Sequence, residues 1–574
     1  METFSKACLE ALETSGTVNR VGRHVLGLAS GCLLILGGLA SAVLAATPGP
    51  PPSTTSSTTT TTAMTTTAMT TSPASSVVIV NGHGWGHGLG LSQWGAYGYA
   101  KHGWTFDRIL AHYYSGTTLG PANVSTVRVL LASAKKTTIE STAAWTVLDA
   151  AGTKAALDPG VLVLKPNLAL VDHPELQPPF TFVGKQPLIV DKVPYRGKLS
   201  VSSDGKVVQV IDTVGLEAYL KGVVPAEMPS SWLPEALKAQ AVAARSYALA
   251  NVTTGRPFDL YGDTRSQVFG GIKVENAATS AAVDATKGQV VLYKAKVANT
   301  LFFSTSGGRT ASAFESTGLT VPYLVPVADP YDTASPYHDW GPVLLDAAAV
   351  AKQFKLASPI ADLQTTTGPS GRVKSLTVVS DDESQVTMTG NQVRGALELR
   401  STWFTPALLQ LLPKSKTITY GGAFSLTGRA RGVDTVSLEA KAFGLDWAPG
   451  GDLLLDANGA FSTIVRPQIA TQYRLVWGDV RAGLAKIAVA VRVDGTVQQG
   501  TATGTTKPVV AYAPTELQWS ADGTTAWQTV ATSTTDGTGA FSISAPSPET
   551  AGAYRVRVAP GHGLAPGLSK TACC

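Results

Sequence analysis

The chain has 574 residues, 15% of them charged, and a formal net charge of +5. That length accommodates several domains of about 100–200 residues each, and without a strongly basic block nucleic-acid binding has no electrostatic footprint. The four cysteines, Cys8, Cys32, Cys573 and Cys574, lie at the extremes, so the body of the chain holds neither a disulfide framework nor a thiolate metal site.

In residues 1–46, Arg20 and Arg23 precede an apolar run ending in small residues near Ala45 and Ala46. This is the pattern of a secretory signal sequence. An uncleaved signal anchor also fits, since about 20 apolar residues can span a bilayer. Either reading places the rest outside the cytoplasmic membrane, secreted or in the cell envelope. Residues 47–76 are almost entirely Thr, Ser, Pro and Ala, which predicts a disordered, extended tether.

Residues 77–122 contain His83, His87, His102 and His112. His83 and His87 have the spacing of a helical metal pair, but the alternating glycines from Gly82 to Gly90 argue for a loop whose backbone can approach a ligand or a sheet closely. Trp85 and Trp94 offer flat faces for sugar rings. Gln93 opens a short helical run, and residues 106–114 read as an amphipathic helix closed by Gly116. Residues 123–214 are rich in Val, Thr and Leu, with strands predicted at 127–131, 160–164 and 199–201.

The stretch 216–251, LEAYLKGVVPAEMPSSWLPEALKAQAVAARSYALAN, organises the rest. Residues 216–220 predict a short helix ended by Gly222. Pro225 and Pro229 bracket Glu227 and place its carboxylate on a stiff turn. Pro234 suits the first position of a second helix, with Ser230 or Ser231 as cap. In that helix Leu237, Ala241, Ala244 and Ala248 form a close-packing face, while Lys238 and Arg245, seven apart, share another face from which a cation can meet an anion or a sugar. By chemistry alone, a solvated turn carboxylate is the simpler account of Glu227.

Residues 261–271, YGDTRSQVFGG, form a loop without His or Cys. A strand at 298–304 leads into Ser304-Thr305-Ser306-Gly307-Gly308-Arg309-Thr310, which fits a glycan-facing loop and a plain turn alike. An α+β core is expected over 215–406. Beyond it, Trp447, Asp456 to Ser462 and Tyr473-Arg474 recur as Trp527, Asp536 to Ser542 and Tyr554-Arg555, about 80 residues later. The repeat predicts two all-β immunoglobulin-like sandwiches, 415–493 and 494–570. Neither contains a nucleophile or metal cluster.

LKGVVPAEMPSSW followed by EALKAQAVAARSYAL resembles the signature of the stage II sporulation protein D and amidase-enhancer family, bacterial proteins that act on peptidoglycan. The best-described member is a lytic transglycosylase. The resemblance implies that 77–406 is one peptidoglycan-acting domain in which Glu227 is the catalytic acid, and a family arginine falls on Arg245. The expected glycan-binding set is Arg245, Lys238, His83, His87, Gln93, Trp85, Ser304, Ser306, Gly307, Gly308 and Thr310. The 77–122 stretch resembles the family's His-Gly element, which normally ends the domain; here it is displaced to the N-terminal side, as in a circular permutation. Some members bind zinc through His and Cys in a loop like 261–271; this loop has neither, so no zinc and no cofactor are expected. The implied function is cleavage of MurNAc–GlcNAc bonds in peptidoglycan glycan strands. The alternatives are a non-catalytic, peptidoglycan-binding activator of a cell-wall amidase and an envelope adhesion protein. Expected partners are glycan strands and an amidase, with no nucleic acid, and a membrane only through an uncleaved N-terminal segment.

Overall fold

The computed structural model describes residues 70–71, 74–122, 126–253, 255–498, 500–524, 526–545 and 552–573. The expected signal sequence or anchor, most of the tether, and Cys8, Cys32 and Cys574 lie outside these residues. The described chain is β-rich, with several separate sheets and eight α-helices.

The largest sheet lies in the Val- and Thr-rich region. Its strands run in the order Leu260–Tyr261, Thr126–Ala134, Val208–Gly215, Lys198–Ser203, Phe180–Gly184, Trp145–Leu148 and Lys154–Leu157. Alternation sets its buried face: Phe180 and Phe182, Leu199 and Val201, and Val208 and Val210 are all fully covered. Val208–Gly215 runs directly into a helix, so the sheet fixes where the central helices begin.

Five helices matter for the site: α1 (Gln93–Lys101), α2 (Phe106–Tyr113), α3 (Leu216–Glu227), α4 (Pro234–Ala250) and α5 (Ala277–Ala285). The other four all pack on α4. The predicted small-residue face of α4 is buried, but so are Ala239, Gln240, Ala243 and Arg245 on its other sides. A helix covered all round is a core helix rather than an amphipathic surface one. Its many alanines let neighbours approach closely.

Residues 216–227 correct the sequence reading. Helix α3 continues through both Gly222 and Pro225, and Glu227 is its last residue rather than part of a free turn. Gly222 is needed for contact: a Cβ there would sit 2.6 Å from the Phe269 ring, and its carbonyl accepts the Gly270 N–H. Pro225 lies in the last turn, where its missing N–H costs one helical bond, and Met228 N–H still closes on the Val224 carbonyl. Neither Ser230 nor Ser231 caps α4; Leu233 occupies that position, with Pro234 at the start as expected.

The N-terminal strand Ser76–His83 lies between Asp339–Asp346 and Phe404–Leu412. Its VVIV run is buried on both faces, as an inner strand requires. Val77 and Ile79 join the core of the first terminal unit, while Val78 and Val80 pack with Phe354 and Trp340. The sheet continues through Phe404–Leu412 into Phe424–Arg431 and Ala460–Val465, crossing the expected boundary after 406. The predicted tether is also shorter, because Thr70–Thr71 pairs in parallel with Val480–Ala490.

The sequence repeat reappears as repeated local structure. Arg474 lies over Trp447 and Arg555 over Trp527, each 3.9 Å from the ring centre. Asp456 accepts the N–H groups of Asn458 and Ala460, and Asp536 those of Thr538 and Ala540.

Candidate functional site

The His-Gly segment packs against the α3–α4 pair. Helix α1 is capped by Ser92, whose Oγ accepts the Gly95 N–H. Its two inner glycines permit close contact. A Cβ on Gly95 would meet the Tyr113 hydroxyl at 2.0 Å, and one on Gly98 would meet the Tyr331 carbonyl at 1.9 Å. Strand Leu91–Ser92 pairs with Phe302–Phe303. This seating brings Gln93 to Glu227, with Gln93 Nε2 donating to Glu227 Oε2 at 3.4 Å.

Glu227 is partly buried beside fully covered Met228 and Val224. Burial pushes its pKa above the ordinary carboxylate value, opposed by hydrogen bonds from Gln93 and the Val268 backbone. The C-terminal end of α3 carries the negative end of the helix dipole, which also disfavours a second negative charge. The Val268 loop is anchored from below: the Tyr219 hydroxyl donates to Gln267 Oε1 at 3.1 Å, and Gln267 Nε2 donates to the Ala244 carbonyl at 3.4 Å.

An aromatic array flanks the acid. Tyr97 stacks on Trp232 at 4.7 Å, and Trp94 meets Trp232 at 4.8 Å. All three rings remain partly exposed. Trp94 N–H donates to the Ser304 carbonyl, so the 304–310 loop begins beside this array. The sequence reading named Trp94 as a sugar platform, but it missed Tyr97 and Trp232 in that role. The available signal was spacing: Tyr97 lies one helical turn beyond Trp94.

The remaining expected glycan-binding residues divide. Arg245 has no exposure at all; its guanidinium forms a two-point pair with Glu217 at 2.6 and 3.0 Å and donates to the carbonyls of Val283 and Gln289. It is a buried strut, which corrects its expected place on a cleft-facing surface. Lys238 pairs with Glu235 at 2.7 Å, and Glu235 accepts the Phe106 N–H, so this couple ties α2 to α4. His87 is also committed inward. Its Nε2 bonds to the Phe302 carbonyl and its Nδ1 accepts the Leu89 N–H. Burial, followed by the charge of Arg394, lowers its pKa to about 3.

Ser306 and Gly307 donate to buried Asp332 at 2.8 and 2.7 Å, and Thr310 is buried with its hydroxyl on the Val325 carbonyl. These groups brace the loop from inside instead of lining a groove. His83 is partly exposed and pairs with Asp339 at 2.6 Å, and Trp85 stands edge-on to Tyr337 at 4.5 Å. Ser304 and Gly308 keep partial exposure. In the 261–271 loop the one carboxylate, Asp263, is paired with Arg265, so its donor set does not fit zinc.

The arrangement defines a β-rich protein in which a helical centre presents one partly buried acid beside stacked aromatic rings. Residues 204–293, which hold α3, α4 and α5, match the family model described as SpoIID, stage II sporulation protein. The chain is 40% identical over 135 residues to an uncharacterised protein of Brachyspira hyodysenteriae, covering 23% of this chain and 37% of that one. It is 39% identical over 140 residues to the amidase enhancer of Bacillus subtilis, covering 24% and 19%. It is 32% identical over 145 residues to stage II sporulation protein D of Bacillus subtilis, covering 22% and 42%. The chain therefore spans well under two thirds of the length of each of these relatives. The similarity to the stage II sporulation protein D and amidase-enhancer family is thus confined to this central segment. The 77–122 element and the 304–310 loop lie outside the matched residues.

Proposed function

We propose that this is an exported cell-envelope protein that cleaves MurNAc–GlcNAc bonds of peptidoglycan glycan strands as a lytic transglycosylase. The observation that carries the reading is the setting of Glu227, a raised-pKa carboxyl at a helix end, touched by Gln93 and flanked by Trp94, Tyr97 and Trp232. Protonated Glu227 gives its proton to the glycosidic oxygen as the bond to the anomeric carbon breaks. The 6-hydroxyl of the same muramic acid ring then attacks that carbon, and the Glu227 carboxylate takes the hydroxyl proton. The product is a 1,6-anhydro end, and no second carboxylate or water is consumed, unlike the usual two-carboxylate glycosidase. The three rings supply stacking faces for sugars. The two terminal β units are read as immunoglobulin-like spacers or wall-binding modules.

Glu227→Gln keeps the shape and removes the titrating proton. Mass spectrometry of digested peptide-free strands should show anhydro ends from the wild type and at least a 10²–10⁴-fold loss, the order typical of general acid–base catalysis, in the variant. Reducing ends without anhydro sugar would point to a hydrolase, and undiminished product from the variant would remove Glu227 from the role. The relative named amidase enhancer favours a second reading, a glycan-binding activator of a separate amidase. It predicts no anhydro product from either protein.

A further inference from the structure

A groove of about 640 Å³ opens on the first terminal β unit, outside the site of Glu227. Four strands contribute to it: Ser415–Thr419, Ser437–Ala442, Thr471–Trp477 and Val480–Ala490. Their register sets one row of residues side by side, with Ser415 opposite Lys486, Lys486 opposite Gln472, and Gln472 opposite Lys441. Residues in register across a sheet point to the same face. Ile487 and Tyr473, one step along their strands, enter the core, so this row faces outward. One strand separates Lys441 from Lys486, which spaces them roughly 10 Å apart at the usual distance between strands. Lys416 and the exposed ring of Phe443 also line the groove.

The charge distribution on this sheet is uneven. Arg474 and Arg481 both reach Glu439, at 2.6 and 3.2 Å. The groove's lining contains three lysines and no carboxylate, and among the described residues none of the three has an ion-pair partner. The bland account is available for Lys416, since a lysine on an edge strand discourages sheet-to-sheet association. It does not cover Lys441 and Lys486, which lie on inner strands. Lysine is a compact point charge that meets a phosphate oxygen singly, whereas arginine is the residue suited to planar two-point pairing with carboxylates and phosphates alike. Lys441 and Lys486, with Gln472 between them and Ser415 beside Lys486, therefore fit successive single phosphates, and Phe443 offers an apolar wall for the carbons that link them.

We propose that this groove binds a linear phosphodiester polymer, holding the chain on a polyanionic surface independently of the chemistry at Glu227. The probe is poly(glycerol phosphate), titrated at low salt against the full chain. Compared are Lys441→Glu/Lys486→Glu and a control with the same net charge change, Lys154→Glu/Lys198→Glu, on exposed strand positions elsewhere. The expected result is an approximately tenfold or greater loss of affinity in the groove variant, little change in the control, and weakening with added salt. Equal losses in the two variants would reduce the effect to net charge and overturn the site. So would failure of the wild type to bind. Equally tight binding of polygalacturonate, a carboxylate polymer, would overturn the phosphodiester assignment. Matched thermal melts of both variants and the wild type exclude misfolding as the cause, and unchanged cleavage of soluble glycan by the groove variant separates this site from the one at Glu227.

Discussion

Arg245 gives the sharpest contrast between a binding and a structural role. Arg245→Met removes the two-point pair to Glu217 and the bonds to the Val283 and Gln289 carbonyls, while keeping most of the side-chain volume. Breaking a buried pair from one side typically costs about 3–5 kcal/mol. The lower end is expected here, because Glu217 is 23% exposed and keeps the Gly288 N–H, so water can serve part of what the arginine leaves. The assay is thermal unfolding together with hydrogen exchange of α3, α4 and α5. The single variant should lower the melting temperature and expose amides of all three helices, because Arg245 reaches from α4 to Glu217 on α3 and to the end of α5. Arg245→Met/Glu217→Leu should recover much of the loss, since replacing both partners by apolar groups of similar size is often near neutral. Glycan affinity per folded molecule should not change. An Arg245→Met protein with wild-type stability and lost glycan binding would refute the strut and restore the cleft-facing role.

The other tests follow from buried groups near the helices. Asp212 has no exposure and, among the described residues, no hydrogen-bond partner on either oxygen, and burial raises its pKa to about 7 from 3.8. Because the folded value is the higher one, the stability allowed by the neutral carboxyl is full below about pH 4 and is lost as pH rises through 7; three units correspond to about 4 kcal/mol at most. Asp212→Asn should flatten the melting-temperature profile between pH 4 and 8, and parallel profiles for the two proteins would defeat the assignment. Gly98→Ala places a Cβ against the Tyr331 carbonyl and should cost about 1–3 kcal/mol of overpacking. By displacing α1 it should also draw Gln93 from Glu227 and reduce glycan cleavage; a variant with normal activity would show that α1 need not sit where it does.

The sequence alone determined what depends on neighbours along the chain. Alternating glycines excluded a helix at 82–90, Pro234 set the start of α4, and the Asp-x-x-Gly turns of the two terminal units announced their repeat, because each rests on local backbone preference. Glu227 was also legible, through the motif around it. Its position on a helix end was not: glycine and proline read locally as breakers, and only the Phe269 loop pressed against Gly222 explains why the helix continues. Periodicity placed Arg245 and Lys238 on one face of α4 but could not say what lies opposite, and α4 is covered on nearly every side. The meeting of Gln93 with Glu227, and of Tyr97 with Trp232, joins segments more than 130 residues apart. Only the packing of α1 on α4 makes those contacts, because side chains distant in sequence become neighbours through the shapes of the surfaces that carry them.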